Sequence, residues 1–406
     1  MKAKRPLEGL KIIDFTWLIS GPIACKFLAD YGAEVVKIES SSVPDNIRIT
    51  TPFNANIAGV NRSATFANYN SSKYSLSLNL KHPKASNIAK KLVAWADVIV
   101  ESFRPGTMKR WGLGYEELRK IKPDTIMLSM TMQGQTGAFS HLPGVGTQLQ
   151  ALVGVTHLTG WPDREPAGTP IPYPDFISPW YILVAIMAAL DYRRRTGQGL
   201  YIDISQLETS LQFMVPPLLD CMVNGRVQTR LGNQHPYAAP HGVYRCRGDN
   251  RWCAIAVFTD EEWRSLCEVM GSPSWAKEPR FATFLTRKEN EPELNMLVEK
   301  WTSTHTAEEV TSLLQAAGVP AGVVQNGQDL LDHDSQLQHR RHFRILDHPE
   351  TGQHVTEVAP YRLSRSPGEP KWAAPCLGEH NNYVCTQILG MSDAEFIELV
   401  AEGILE

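Results

Sequence analysis

The stretch LKIIDFTWLISGPIACKFLADYGAEVVKIE, residues 10–39, decides how the chain folds. LKIIDFTWLI is apolar and β-branched, which predicts a strand. GPIACKFLADYGA follows, with Gly21 and Pro22 at a helix start and Gly32 at its end. EVVKIE supplies the next strand. Strand, helix and strand in one short run make a βαβ unit.

The pattern continues outward from there. YSLSLNL alternates with period two, PKASNIAKKLVAWA has helical spacing, and DVIVESF is a strand again. YEELRKIK and DTIMLSM add another helix and strand. Strands separated by helical segments predict an α/β fold with a mostly parallel sheet. Residues 131–175 are rich in Gly and Pro and read as long ordered loops, the kind that carry sites in α/β enzymes. A helix near 177–195, the strand YIDIS and the helix QLETSLQFM follow. From about 220 to 325 short strands precede helices rich in Trp and Glu, so a smaller α+β module is expected.

Composition narrows the function. The chain has 406 residues with 40 basic and 43 acidic side chains, a net charge of −3, spread without blocks. That leaves no electrostatic footprint for nucleic acid or a membrane surface. Seven dispersed cysteines, none in a CxxC pair, predict reduced thiols rather than a disulfide scaffold or zinc site. The longest uncharged run, Phe176 to Leu190, holds 15 residues, short of the roughly 20 that a membrane span needs, and reads as a buried core helix. The N-terminus lacks a signal-peptide pattern. A cytoplasmic location is expected.

No GxGxxG follows the first strand, and no Walker A, HExxH or GxSxG motif occurs. The candidate for chemistry is Asp175, set among prolines and aromatic rings in GTPIPYPDFISPWY and followed by the uncharged ILVAIMAAL. Three roles fit an acid there: a helix N-cap or first-turn residue, a general base, or a nucleophile. Apolar surroundings raise its pKa while a helix N-terminus lowers it. In ESFRPGTMKRWG, Arg104, Lys109 and Arg110 lie just beyond a strand's carboxyl end, where arginine forks suit phosphate. His235 and His241 read as loop residues rather than metal ligands, and Arg193–Arg195 as cations at a helix C-terminus.

Together with LEGLKIIDFTWLISGPIACKFLADYGAEVVKIE, the segments NYNSSKYSLSLNLKHP, DVIVESFRPGTMKRWGLGYEEL, LSMTMQGQTG, YPDFISPWYILVAIMAALDYRRRTGQGLYIDIS, AAPHGVYRC and LGEHNNYV occur in an order that resembles the family III CoA-transferases across nearly the whole chain. The resemblance implies a Rossmann-like large domain over 1–215, a small α+β domain over 216–325, and a segment 326–406 returning to the large domain. It also implies two interlocked chains, coenzyme A as substrate and product, and no metal. It places the family's catalytic aspartate on Asp175, acting through aspartyl anhydride and aspartyl-CoA thioester intermediates. Its CoA contacts fall on Phe103, Arg104 and Arg110, with Trp17 and Leu18 counted among them. Acyl-CoA racemases share the fold but need a second base, and Val145 stands where their histidine would be, with His141 four residues too early. The chain departs from formyl-CoA enzymes at Ile19 and Ser20, where they carry a Gln, at Gln133, and in having no tetraglycine loop. Its texture resembles the benzylsuccinate type, which implies a succinyl donor, a dicarboxylic acceptor and either a homodimer or a pairing with a related chain. A non-catalytic CoA-binding partner subunit is the remaining reading. Arg48, Arg62 and Lys73 are the cations expected to be free for a substrate carboxylate.

Overall fold

A computed structural model describes residues 5–366 and 368–406. Six strands, β1 (Lys11–Phe15), β2 (Glu34–Glu39), β3 (Tyr74–Ser77), β4 (Val98–Glu101), β5 (Ile126–Thr131) and β6 (Leu200–Ser205), form one sheet in the order β3-β2-β1-β4-β5-β6. All five pairings are parallel. The expected α/β class with a parallel sheet is borne out. The strand order reverses between β1 and β4, so a crevice opens at their carboxyl ends.

Alternation along the strands builds the core on both faces, as a buried parallel sheet requires. Ile13, Val36, Ile38, Leu76, Ile99 and Met127 point to one face, where Leu92, Val384 and Ile404 cover them. Ile12, Val35, Val98, Val100 and Leu128 point to the other, under Leu28, Ile182 and Ile186. The helix Tyr173–Thr196 therefore buries one side in this second layer. Its length and composition would also suffice to cross a membrane. The chain end returns to the sheet, where Glu406 N–H donates to Ser77 O.

By contacts the chain forms two compact units. The first comprises Met1–Val155, Thr169–Arg226 and Gln336–Glu406; the second comprises Thr156–Gly168 and Val227–Ser335. In the second, strands His241–Arg245, Trp252–Ala256 and Ala321–Val323 form an antiparallel sheet. Its core gathers Tyr244, Ile255, Trp263, Leu266, Val298 and Leu314. Two of its helices open with reciprocal caps, Thr259 with Glu262 and Thr306 with Glu309.

The region 131–175 is not wholly loop. It holds the helices Gly146–Leu152 and Val155–Leu158, too short to show periodicity against their Gly and Pro background.

Four ion pairs lie inside the first unit: Asp14–Lys73 at 2.8 Å, Lys37–Asp45 at 3.1 Å, Glu39–Arg48 at 2.8 Å and Lys26–Asp30 at 2.7 Å. This corrects the expectation that Arg48 and Lys73 are free for a substrate. Both are fully buried and committed, Arg48 bidentate to Glu39 and Lys73 also to Pro22 O and Asn70 Oδ1. Arg62 is occupied as well, donating to Ile57 O and Asn54 O. A buried cation without partners would be too costly to keep, so Arg48 and Lys73 are committed to Glu39 and Asp14.

Candidate active site

The turn after β1 begins at Thr16, whose N–H and hydroxyl both donate to Asp14 Oδ1. Trp17 N–H donates to Ser102 Oγ at 3.0 Å, tying this turn to the loop beyond β4. Leu18 then takes φ +67°, a left-handed conformation that costs a residue with a side chain about 1–2 kcal/mol. Its N–H donates to Asp45 Oδ1 at 2.9 Å, and Asp45 Oδ2 takes Lys37, which also donates to Thr16 O. The strained turn is thus clamped by a buried ion pair. At Gly21 a Cβ would stand 2.3 Å from Thr16 Cβ, so only glycine lets the helix start this close to β1.

Asp175 sits in the first turn of the helix Tyr173–Thr196. Four residues on is Pro179, which has no N–H to bond the Asp175 carbonyl. Ser20 Oγ fills that role, donating to Asp175 O at 3.0 Å. Gln206, first residue of the helix Gln206–Leu211 that follows β6, donates through Nε2 to Asp175 Oδ1 at 2.9 Å and to Ser20 Oγ at 2.8 Å. The other oxygen, Oδ2, accepts no hydrogen bond among the described residues and lies against Gly146, where a Cβ would come within 2.4 Å of it. Burial pushes the Asp175 carboxyl up, and the Gln206 and Ser20 hydrogen bonds only partly offset this. Of the opposing effects weighed from sequence, desolvation wins.

Asp175, Ser20, Gly146 and Gln206 all line one cleft of about 260 Å³ at the switch point between β1 and β4. Trp17, Leu18, Phe103 and Arg104 line it too. Its wall is otherwise mostly apolar, with Met130, Met132, Leu142 and Val145. No histidine lines it among the described residues. Trp17 meets Phe103 edge-on at 5.7 Å, and Phe103 meets Trp111 at 5.1 Å. These rings also wall a second, more apolar cavity of about 260 Å³ over Ile38, Leu78 and Lys81. Of the predicted CoA contacts, Trp17 and Phe103 face both cavities, and Leu18 and Arg104 face the first. Arg110 lines neither; it is exposed and donates to Thr107 Oγ1 at 2.9 Å. The Arg104 guanidinium is exposed and has no protein partner among the described residues, so it can take an anion.

Glu101, the last residue of β4, is buried, and its Oε2 accepts from Phe103 N–H at 2.7 Å. Burial raises its pKa to about 7, despite hydrogen bonds from Ser129 and Phe103 N–H, with Asp203 adding to the rise. Sequence reasoning missed Glu101, Asp45, Gly146 and Gln206. Of these, only Asp45 stands in a run with a local signal, as the cap of the turn Asn46–Ile49.

Compared with known proteins, residues 7–381 match the family described as CoA-transferase family III. The chain is 31% identical over 401 residues to the succinyl-CoA–D-citramalate CoA-transferase of Chloroflexus aurantiacus, covering 99% of this chain and 98% of that protein. It is 31% identical over 406 residues to the succinyl-CoA–L-malate CoA-transferase beta subunit of the same organism, covering 98% of each. Among solved structures, a CAIB/BAIF family protein from Brucella suis superposes with a TM-score of 0.86 at 29% identity, over 95% of this chain and 100% of that one.

Proposed function

The chain belongs to CoA-transferase family III, and from that premise we propose that it moves CoA from an acyl-CoA to a carboxylic acid with Asp175 as the acyl carrier. We take the donor to be succinyl-CoA and the acceptor a dicarboxylate of the citramalate, malate, glutarate or benzylsuccinate kind, since relatives carry names of the first three. Asp175 Oδ2 attacks the thioester carbonyl carbon, the C–S bond breaks, and CoA leaves as thiolate, giving a mixed anhydride. The thiolate attacks Cγ of Asp175 and releases the donor acid, leaving an aspartyl-CoA thioester. The acceptor carboxylate attacks Cγ in turn, and the freed thiolate takes the acceptor acyl group. Each step exchanges one activated acyl bond for another. Water would hydrolyse every intermediate, which the apolar cleft wall opposes.

One observation carries this reading: a half-buried carboxylate, with one oxygen held, shares a cleft with Trp17, Phe103 and Arg104, and neither its other oxygen nor Arg104 has a hydrogen-bond partner among the described residues. We assign CoA to Trp17, Leu18, Phe103 and Arg104, with Arg110 reaching it from the rim. A racemase would need a second proton carrier opposite Asp175, and Val145 occupies the cleft instead.

We further propose that two chains, identical or related as in the alpha and beta subunits of the malate enzyme, assemble the working enzyme. Exposed apolar side chains in the first unit, among them Val184, Met187, Met222 and Val223, support an assembled state.

The deciding experiment mixes the purified protein with succinyl-CoA and hydroxylamine and sequences its peptides by mass spectrometry. A hydroxamate at Asp175 is expected. Modification at another residue, or none, overturns the assignment.

A further inference from the structure

We propose that the side-chain amide of Gln206 is the oxyanion donor for the two steps in which Cγ of Asp175 is attacked, an assignment that rests on Asp175 being the acyl carrier. The geometry supplies the argument. Gln206 Nε2 has two hydrogens and two acceptors, Ser20 Oγ at 2.8 Å and Asp175 Oδ1 at 2.9 Å. Both are committed, so the amide is locked with nitrogen toward the carboxylate. Gln206 is buried and lines the same cleft as Asp175. Ser20 Oγ gives its one hydrogen to Asp175 O and lies 3.5 Å from Oδ1, which leaves Gln206 as the donor to that oxygen.

Because Oδ1 is held and Oδ2 is not, the two oxygens have separate work. Oδ2 forms the anhydride, and Oδ1 becomes the carbonyl oxygen of the acylated aspartyl group. When CoA thiolate adds to Cγ, an S–Cγ bond forms and the Cγ=Oδ1 pair moves onto Oδ1. Collapse of that tetrahedral species restores Cγ=Oδ1, breaks Cγ–Oδ2, and expels the donor acid as carboxylate with its electron pair. The acceptor's carboxylate adds to Cγ of the thioester in the same way, and CoA leaves as thiolate. In both additions the negative charge develops on the atom that Gln206 already contacts at oxyanion-hole distance. The attacks on the substrates' own carbonyl carbons develop charge elsewhere and do not use this donor.

The test replaces Gln206 with Leu and, separately, with the unbranched Met, both of similar volume and neither a donor; thermal melting identifies the variant that folds, and either one carries the test. Two rates are compared with succinyl-CoA as donor and malate as acceptor. CoA release in hydroxylamine, which intercepts the anhydride, follows the first attack. Transfer to malate needs the attacks on Cγ. The expected result is CoA release within about fivefold of the parent while transfer falls by about a hundredfold to a thousandfold, and the CoA adduct on Asp175, seen by intact mass in the parent, disappears. Transfer within about threefold of the parent overturns the proposal, as does CoA release falling in step with transfer, which would make Gln206 only a holder of Asp175. A parent protein with no adduct on Asp175 overturns the acyl-carrier reading itself, and this assignment with it.

Discussion

Gly146 stands so close to Asp175 that a Cβ on it would lie 2.4 Å from Oδ2 and 2.8 Å from Cγ. Pro172 Cβ would lie 2.6 Å from the same absent side chain. Gly146→Ala therefore has to displace the carboxylate, because a proline-braced backbone yields less easily. Activity is expected to fall by more than about a hundredfold, since misplacing a reacting group by 1 Å costs that much. The overpacking should cost about 1–3 kcal/mol in denaturant unfolding. Steady-state rates and urea melts check both.

Arg104 offers the only cation in the cleft among the described residues. If it binds the CoA moiety, Arg104→Ala raises the KM for acyl-CoA by about tenfold with kcat within about threefold, the pattern of lost uniform binding. The effect should shrink with added salt, because the guanidinium is exposed. A fall in kcat at unchanged KM would move Arg104 from binding to chemistry.

Asp45 joins a buried charge to the strained turn. Asp45→Ala leaves Lys37 without its carboxylate and Leu18 N–H without its acceptor. Loss of one partner from a buried pair costs about 3–5 kcal/mol. Exchanging both residues, Lys37→Met with Asp45→Leu, removes the unpaired charge and should recover much of that stability. Activity should stay low, since nothing then holds Leu18 at positive φ. Melting curves and rates of the single and double variants separate the two effects.

Glu101 makes stability depend on pH. Its folded pKa, about 7, lies above the ordinary value of 4.5, so the folded protein keeps a proton that the unfolded chain has released. The carboxyl's contribution is therefore complete below pH 4.5 and is lost as pH rises through about 7. Glu101→Gln keeps an acceptor for Phe103 N–H and removes the charge. It should be more stable than the parent at pH 8, by up to about 3 kcal/mol, with the difference fading toward pH 5. Denaturant titrations at the two pH values check the sign.

Much of the fold was legible because strand and helix periodicities are local. β1, the helix Ser20–Asp30 and β2 follow from one apolar run punctuated by Gly21, Pro22 and Gly32. Asp175 was legible as an acid opening an apolar helix; that Pro179 leaves its carbonyl for Ser20 to bond was not read from the sequence. The cations were misread for the opposite reason. Arg48 and Lys73 stand in polar stretches that look solvated, and their partners Glu39 and Asp14 come from β2 and β1. Burial of a charge depends on what packs over it, which a linear pattern does not record.

Periodicity and turn chemistry were enough to specify strands alternating with helices, as a parallel sheet requires, and an acid at a helix start, since each signal lies within a few positions. The crevice between β1 and β4 follows from the strand order of the folded sheet. The unlike surroundings of the two oxygens of Asp175, one held by Gln206 and the other against Gly146, came from packing alone. They need Ser20, Gly146, Asp175 and Gln206, spread over 186 residues of chain, within hydrogen-bond or van der Waals reach. Such contacts act over about 3 Å, and only the folded sheet brings the ends of its strands that close.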